Sequence, residues 1–485
     1  MGAHRPRRRS RRGRLVIARV VVDSPLPHLD RPFDYAIGEP LEAVVRVGSR
    51  VRVPFAGRLS SAVVVELADT ESPHALKSIK SAGAVPSFTQ QALDLASSIA
   101  QRYGGSLWDV LRLMAPARVA SVEKLDWKSM EAVHLDPELL AGEVGRAAEH
   151  GLPTVQGSRS AWVAPPATSA TAPVEALLAW ALAAVADGGS AIVAVPDARA
   201  AQAVAARAVE SGMRRWTARS GGHFVLLDAD DGPSVRFGSY LAAMHGLARL
   251  VIGTRSAAWQ PVPDLKAIAI WDEGSTTFAE PRAPYPQART VAAMRAQDTG
   301  ASFLVAGYAL SPDAVALVEH GFARRVGGAP EREALPRIEI IGPERREREG
   351  GQGKHWMPGS VWTPLLGAAQ DGVAGILVPQ SGYASGLRCA RCSAWAECAD
   401  CGGDLQRSSV EGTPRCRECA LEAAHWHCPE CQGYRLTPAG LGVERLADQV
   451  ARMAPGVPLA VSSSGTGIVA DGAVTSGLVV ATPAA

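Results

Sequence analysis

The eight cysteines are the residues whose type and spacing most clearly define a chemistry. All of them lie between positions 389 and 431 of a 485-residue chain, as four Cys-x-x-Cys pairs. In such a pair two thiolates converge on one ion at about 2.3 Å, and two pairs complete a closed tetrahedral zinc site. The pattern predicts two zinc ions per chain. Both are expected to be structural, because four thiolates leave no open position for catalysis, and His425 and His427 are expected to be bystanders.

Two groupings of the cysteines are compatible with this spacing. A 14-residue loop separates the two middle pairs, which suits a single ribbon around one ion and leaves the outer pairs to close a second site. In this nested grouping the outer site is Cys389, Cys392, Cys428 and Cys431, and the inner site is Cys398, Cys401, Cys416 and Cys419. In the sequential alternative the first four cysteines bind one ion and the last four bind the other.

A disulfide framework is the other chemistry open to an even number of cysteines, and it belongs to secreted domains. The apolar run 15–22 is interrupted by Arg19 and has no cleavage site, so it does not resemble an export signal. No window approaches the ~18 apolar residues of a membrane span. The sequence therefore favours a cytoplasmic protein with reduced thiols.

Charge is concentrated in one place. Residues 1–14 carry seven arginines and no acid, and the remaining chain holds 43 basic and 48 acidic residues, a balance of −5. Such a cluster attracts phosphate backbones without reading sequence. A disordered, solubilising tail is the alternative.

The elements around these residues predict a multidomain α/β protein. Its length suggests three or four domains. Short apolar runs separated by Pro and Gly over 15–67 predict a small β-rich domain, which residues 89–113 would cap as helices. From position 161 strands alternate with helices, as in a parallel sheet. Sheet patterns on both sides of the cysteines indicate that the zinc module is inserted into a second α/β unit.

Several segments in fixed order resemble the PriA family, which restarts stalled replication forks. They are PLPHLDRPFDYAI, VRVGSRVRVPFAG, VIGTRSAAWQPVPDL, the four cysteine pairs and GLGVERLADQV. The resemblance implies the following domains: a basic tail 1–14, a 3′-end DNA-binding domain 15–117, a winged-helix-like module or linker 118–160, a helicase lobe 161–330, the start of a second lobe 331–388, the zinc insertion 389–431 and the rest of that lobe 432–485. It also implies a nucleoid-associated protein that binds forked DNA and primosome partners, such as a helicase loader or single-strand-binding protein.

The resemblance also implies a pocket for a DNA 3′ end at Phe33, Asp34 and Gly57. An aromatic face can stack a terminal base, and a carboxylate can accept the 3′-hydroxyl proton. From the residues alone, Phe33 would more often be a core side chain. Arg255, in the segment GTRSA, is expected either to touch a DNA phosphate or to cap a helix or form a salt bridge.

The ATP-binding elements depart from the family pattern. A phosphate cradle needs glycines, a lysine and a hydroxyl, but the corresponding loop 166–173 has no glycine and no lysine. Within this degenerate nucleotide site, which retains Thr168, Ala172 stands at the lysine position and Pro173 at the Ser/Thr position. Two other motor motifs are replaced by GYALSP at 307–312 and PQSG at 379–382.

The second ATPase element admits two alignments. Either Trp271 replaces the Mg²⁺-binding aspartate, or Asp272 and Glu273 take the acidic positions shifted by one. The preferred interpretation of both acids is that they are strand-end acids on a loop without catalytic function.

Three functions follow from these patterns. The first is a replication-restart protein that binds forked DNA, holds zinc and has lost its motor, so that it is not an active enzyme. The second is an active ATP-dependent 3′-5′ helicase of the same family, and the third is a zinc-ribbon adaptor for proteins. The chain stops at the run SGLVVATPAA, so the second lobe is expected to be truncated.

Overall fold

The computed structural model consists of two compact units, Met1–Pro336 and Arg337–Ala485. It describes residues 15–24, 26–70, 76–154, 156–165, 172–186, 188–327, 337–378, 386–407, 412–438, 442–463, 465–470 and 472–482. The predicted basic tail, the loop 166–171 with Thr168, and the PQSG motif lie outside the described residues. Within the described ranges, no helix is long and apolar enough to cross a membrane.

Five antiparallel strands form the amino-terminal domain, in the order β2-β1-β4-β3-β5. They are β1 (Leu15–Val22), β2 (Phe33–Ala36), β3 (Arg50–Phe55), β4 (Arg58–Thr70) and β5 (Ser81–Ala82), and a short helix, α1 (Glu39–Glu42), follows β2. The segment that leads into β5 also pairs with β2, because Ala36 donates to Lys77 O at 2.9 Å and accepts from Ile79 N at 3.1 Å. This second pairing closes the sheet into a barrel around Val20, Val53 and Val64, which confirms the predicted β-rich domain.

Two helices join this barrel to the first α/β lobe. They are α2 (Gln90–Tyr103) and α3 (Leu107–Met114), and the side chains of Thr89 and Ser106 cap their amino ends. Ile99 and Leu111 belong to the same core as Trp259 of the lobe. The sequence predicted these helices as a cap on the barrel. They contact it through Val63 of β4, and their buried faces also reach the lobe, so they connect the two domains.

Residues 118–158 contain α4 (Ala120–Glu123) and α5 (Pro137–Glu149). Glu123 is buried, pairs with Arg118 at 2.6 Å and accepts a hydrogen bond from Ala84 N at 3.0 Å. The described part of this segment has no strand that could form a wing. The described part of this segment is helical and packs against its neighbours through Val122 and Leu140.

The first lobe is built on a parallel seven-stranded sheet, in the order β12-β6-β11-β10-β7-β9-β8. Its strands are β6 (Arg159–Val163), β7 (Ser190–Ala194), β8 (Phe224–Leu227), β9 (Leu250–Gly253), β10 (Leu265–Trp271), β11 (Ser302–Gly307) and β12 (Arg324–Val326). Its helices are α6 (Ala172–Ala183), α7 (Ala198–Glu210), α8 (Pro233–Met244), α9 (Ala288–Thr299) and α10 (Pro312–Glu319).

Both faces of this sheet are covered. Along the fully buried strand β7, Ile192 and Ala194 face one core, and Ala191 and Val193 face the other. Continuous burial of this kind is typical of parallel strands between two helix layers. The lobe begins at Arg159, two residues before the predicted boundary, because β6 already pairs with β11 there.

The second unit contains a three-stranded parallel sheet and the cysteine module. Its helices are α11 (Pro343–Arg348), α12 (Gly359–Asp371) and α13 (Val443–Met453), and its sheet has the order β13 (Val373–Leu377), β19 (Gly477–Ala481), β18 (Leu459–Ser462). Between β13 and α13 the chain forms β14 (Leu387–Cys389), β15 (Leu405–Gln406), β16 (Arg415–Cys416) and β17 (Leu436–Pro438). Strands β14 and β17 pair at the base of the module. The multidomain α/β class and the inserted position of the cysteines are thus confirmed.

Candidate functional site

The eight thiols form two clusters, and in each cluster the four sulfur atoms lie within 4.8 Å of one another. One cluster is Cys389, Cys392, Cys428 and Cys431, and the other is Cys398, Cys401, Cys416 and Cys419. This is the nested grouping and not the sequential one. His425 and His427 belong to neither cluster, and His427 Nδ1 lies 2.8 Å from His425 O instead.

The sulfur separations fit a tetrahedral ion. The Sγ atoms of Cys389 and Cys431 are 3.4 Å apart, and those of Cys398 and Cys419 are 3.8 Å apart. Four ligands at about 2.3 Å around one ion give an edge of about 3.8 Å, whereas a disulfide would bring two sulfurs to about 2.0 Å. Each cluster can therefore hold a zinc ion without rearrangement of the chain.

Backbone donors favour the thiolate at one cysteine of each cluster, whereas neighbouring sulfurs raise the pKa of Cys392, Cys401 and Cys419. The N–H groups of Cys392 and Arg391 lower the pKa of Cys389 to about 6. In the inner cluster the N–H of Cys419 lowers the pKa of Cys416 to about 7, against the opposing effect of burial. Because metals bind the deprotonated sulfur, these donors prepare the cysteines for an ion.

One local conformation recurs after all four pairs. The residue that follows the second cysteine has a left-handed backbone: Ser393 (φ 64°), Gly402 (φ 74°), Ala420 (φ 60°) and Gln432 (φ 59°). Each of these residues donates its N–H to the carbonyl of the first cysteine, as Gln432 does to Cys428 O at 2.9 Å. The turn aims both sulfurs of a pair at the same point. Only Gly402 carried a sequence signal for it, because glycine tolerates positive φ.

The predicted 3′-end residues lie at one end of the barrel but not on one face. The ring of Phe33 packs edge-on against Phe55 with centroids 5.0 Å apart, and Phe55 leads into the turn at Gly57, where φ is 78°. Asp34 is exposed on the opposite face of β2 and pairs with Arg19 at 3.5 Å. The structure brings Phe33 and the glycine turn together, whereas the side chain of Asp34 lies on the other face of β2.

Two cations near β2 were missed from the sequence. The guanidinium of Arg31 stacks over Phe33, 4.8 Å from the ring centroid. Lys77 is exposed on the segment that bonds to Ala36. Neither residue belongs to a recognisable motif, and Lys77 comes close to β2 only because the barrel closes.

Aromatic rings cluster at the carboxyl ends of β6, β10 and β11. Trp162, Ala306 and Trp271 are in register on neighbouring strands, so their side chains project from one face of the sheet. The small Ala306 lets the two indoles approach to 6.3 Å, and Tyr308 packs against Trp271 at 5.3 Å. The same apolar cluster reaches the first turn of α6, which Ala172 begins, and the next residue, Pro173, is buried there.

The two acids after β10 have different environments. The strand runs to Trp271, which packs against the apolar cluster, and Asp272 follows with a left-handed backbone (φ 50°). Glu273 lies in the turn that follows β10 and is fully buried. It accepts hydrogen bonds from Arg289 Nη1 at 2.6 Å, Ser311 N at 2.7 Å and Ser311 Oγ at 2.8 Å. Glu273 is thus held in a buried ion pair.

Asp272 supports a prediction about stability and pH. Partial burial, Glu273 and Asp197 all raise the pKa of Asp272. The folded protein therefore binds this proton more tightly than the unfolded chain, and stability should increase as the pH falls through the raised pKa. Asp272→Asn removes the charge and tolerates the left-handed backbone. We expect the variant to have a higher thermal midpoint than the wild type at neutral pH, and the difference between the two midpoints should shrink in acid. The exposed Asp230→Asn serves as control, and an advantage independent of pH would contradict this origin.

Arg255 has intramolecular partners. Its Nε lies 3.0 Å from Glu280 Oε2, and its Nη1 donates to Thr277 O at 2.8 Å and Ala279 O at 3.2 Å. These bonds fix the loop after Glu273 to the end of β9. Of the roles predicted for Arg255, the salt bridge is present, and a phosphate contact would have to compete with it.

A closed β-barrel joined to a parallel α/β lobe, with a second α/β unit that carries two four-thiolate clusters, defines a multidomain α/β protein with two candidate metal centres. A family model described as the 3′ DNA-binding domain of PriA matches residues 19–116. The probable replication restart protein PriA of Mycobacterium bovis is 33% identical over 484 residues, which cover 95% of this chain and 70% of that protein. The Mycobacterium leprae protein of the same name is 34% identical, with 95% and 71% covered. The chain belongs to the PriA replication restart family.

A solved structure offers a weaker likeness. RecG bound to a three-way DNA junction matches with a TM-score of 0.28 and 14% identity, over 60% of this chain and 35% of that chain. A likeness of this size is too low to carry an argument. Membership of the family therefore depends on sequence identity and on the barrel match.

Proposed function

We propose that this chain binds forked DNA at an exposed 3′ end and recruits primosome proteins, without hydrolysing ATP. The match of residues 19–116 to a 3′ DNA-binding domain carries the first part of this proposal. Two structural zinc ions in the nested clusters would fix the shape of the second unit. Recruited partners would include a helicase loader or a single-strand-binding protein.

The barrel surface supports 3′-end binding on physical grounds. Phe33 is a partly exposed aromatic residue, and the guanidinium of Arg31, which stacks over its ring, is available to contact a phosphate. The turn at Gly57 has no atom within 4 Å of an added Cβ, so a nucleotide backbone can approach it closely. Asp34, on the opposite face of β2, would accept a hydrogen bond from the terminal 3′-hydroxyl.

Loss of the motor is supported by three features of the first lobe. The loop that should cradle phosphates lacks both glycine and lysine. Trp162, Trp271 and Tyr308 occupy the carboxyl ends of the strands where a nucleotide would bind. Glu273 is saturated by Arg289 and Ser311, so it is not free to orient a water. Since phosphoryl transfer depends on positioning and electrostatic stabilisation, these changes together should abolish it.

An active helicase and a protein adaptor are the competing functions. Retention of Asp272 and Glu273 directly after β10 favours the helicase. Exposed aromatic residues on the zinc module, Trp395 and Tyr434, favour the adaptor. ATP turnover would indicate an active helicase, and absence of DNA binding at low salt would indicate a protein adaptor.

The 3′-end prediction can be tested by fluorescence anisotropy on forks with a free or a phosphate-blocked 3′ end. Wild-type protein should prefer the free end. Phe33→Ala should weaken binding to both forks, because stacking of one base contributes about 1–3 kcal/mol. Asp34→Asn should mainly reduce the preference for the free end, since it removes the hydroxyl acceptor and leaves the aromatic face.

The matched control is Glu39→Gln, which changes an acid in the first turn of α1 on the same domain. It should leave both affinities unchanged. If wild-type protein bound free and blocked ends equally, 3′-end recognition would be refuted even though DNA binding remained.

A further inference from the structure

The loop between β1 and β2 carries Arg31 and leads into Phe33, but it has little packing of its own. Its single turn of 3₁₀ helix, Pro27–Leu29, buries none of its residues. The hydrogen bonds of this turn are local: Asp30 N donates to Pro27 O at 3.1 Å, and Arg31 N donates to Leu29 O at 2.8 Å. Local contacts of this kind leave a loop at the low end of stability within a fold. A more distant anchor is needed to fix the position of Arg31.

Asp30 provides this anchor by a bond to α3. Its Oδ1 accepts a hydrogen bond from Leu107 N at 3.0 Å, and its Oδ2 accepts from the same nitrogen at 3.2 Å. The two residues are 77 positions apart in the chain. Leu107 is the first residue of α3, so its N–H has no acceptor within the helix. A carboxylate suits this position, because the amino end of a helix carries a partial positive charge.

The helix that donates this bond is firmly packed. Val110, Leu111 and Met114 of α3 are buried in the core that the helix shares with the first lobe. Its amino end is also capped, since Ser106 Oγ accepts a hydrogen bond from Asp109 N at 3.1 Å. The hydrogen bond from Leu107 therefore ties an exposed loop to a buried element.

The residue after Asp30 carries the cation that faces the predicted 3′-end surface. The exposed Arg31 places its guanidinium over the ring of Phe33, 4.8 Å from the centroid. Because Asp30 and Arg31 are adjacent, a displacement of Asp30 also displaces this guanidinium. An acid next to a phosphate-binding cation would by itself repel DNA. The bond to Leu107 gives Asp30 a role that accounts for an acid at this place.

We propose that Asp30 is a positioning residue, which holds the guanidinium of Arg31 where it contacts a phosphate next to the DNA 3′ end. The inference rests on the proposed 3′-end function and assigns part of its geometry to a residue that acts through Arg31. The carboxylate of Asp30 binds α3 and not the nucleic acid.

Anisotropy of the full-length protein on labelled forks tests the proposal, across a salt series and with free and phosphate-blocked 3′ ends. Asp30→Ala should weaken binding to the free-end fork by about fivefold to tenfold, although it removes a charge that repels DNA. The salt slope should fall by about 0.7, as in Arg31→Ala, because one single-strand phosphate contact is lost. Asp30→Asn keeps an acceptor for Leu107 N and should bind at least as tightly as the wild type.

A double-mutant cycle separates positioning from general damage. In the Arg31→Ala background, Asp30→Ala should cause no further loss of affinity, because the cation that Asp30 positions is already absent. The matched control is Asp23→Ala, which removes an exposed acid from the start of the same loop and should not weaken binding. Thermal unfolding followed by circular dichroism checks that each variant is folded.

The outcomes distinguish this inference from the function on which it rests. If the wild type prefers a free end but Asp30→Ala binds as tightly as Asp30→Asn, the role of Asp30 is refuted and the 3′-end function stands. Additive losses in the double variant, or an unchanged salt slope in Asp30→Ala, would refute it in the same way. If the wild type shows no preference for a free end, the 3′-end function fails and this inference fails with it.

Discussion

Replacing Cys389 and Cys428 together with serine is expected to leave one tightly bound zinc ion per chain, against two in the wild type. Both cysteines belong to the same nested cluster, so the inner site keeps all four ligands. Replacing Cys389 and Cys401 instead removes one ligand from each cluster and should leave no fully liganded ion. Zinc per chain, measured by mass spectrometry after dialysis, distinguishes the variants.

If the cysteines were grouped sequentially, Cys389 and Cys401 would share an ion, and their joint replacement would leave one zinc ion per chain. Replacement of Cys389 and Cys428 would then leave no fully liganded ion. The effect should be large, since structural zinc contributes about 10–16 kcal/mol to folding of small domains. Chelation of wild-type protein should therefore unfold the module. His425→Ala and His427→Ala are the controls and should retain two ions, because neither histidine lies in a cluster.

Arg289→Met is expected to destabilise the first lobe by about 3–5 kcal/mol, because it leaves the buried carboxylate of Glu273 without its counter-ion. Arg289 and Glu273 are 2.6 Å apart with almost no exposure. Urea denaturation of the full chain measures the loss. Arg289 also pairs with the exposed Asp313 at 2.8 Å, and Asp313→Asn should cost less than about 1 kcal/mol.

A second variant shows whether the unpaired charge of Glu273 causes the loss of stability in Arg289→Met. Combining Glu273→Met with Arg289→Met removes both charges and should restore much of the stability, since a buried ion pair can be replaced by apolar residues at little cost. If the double variant were less stable than Arg289→Met alone, the damage would come from lost packing. Equal stability of Arg289→Met and Asp313→Asn would contradict a structural role for the pair.

The sequence predicted those features that repeat or alternate over several residues. Four equal cysteine spacings were enough for two metal sites, and the loop between Cys401 and Cys416 was enough to suggest the nested grouping. The alternation of strands and helices from position 161 predicted the parallel sheet, because crossover helices connect parallel strands. Family segments in fixed order predicted membership of the PriA family.

Features that depend on distant partners could not be predicted. The burial of Glu273 depends on Arg289 and Ser311, which follow it by 16 and 38 positions. Closure of the barrel depends on the two-residue strand β5 and a bridge at Ala36, both too short to leave a periodic pattern. The apolar faces of α2 and α3 indicated burial but not the surface that covers them. Left-handed turns at Ser393, Ala420 and Gln432 have no glycine to mark them.

We propose that the first lobe retains the fold of a DNA motor but has lost its ATPase chemistry. DNA-stimulated ATP hydrolysis by the full chain tests it most directly, with Asp272→Asn combined with Glu273→Gln as the reference. We predict that wild-type turnover in the presence of forked DNA equals that of the reference variant. Turnover by the wild type that is stimulated by DNA and lost in the variant would contradict the claim.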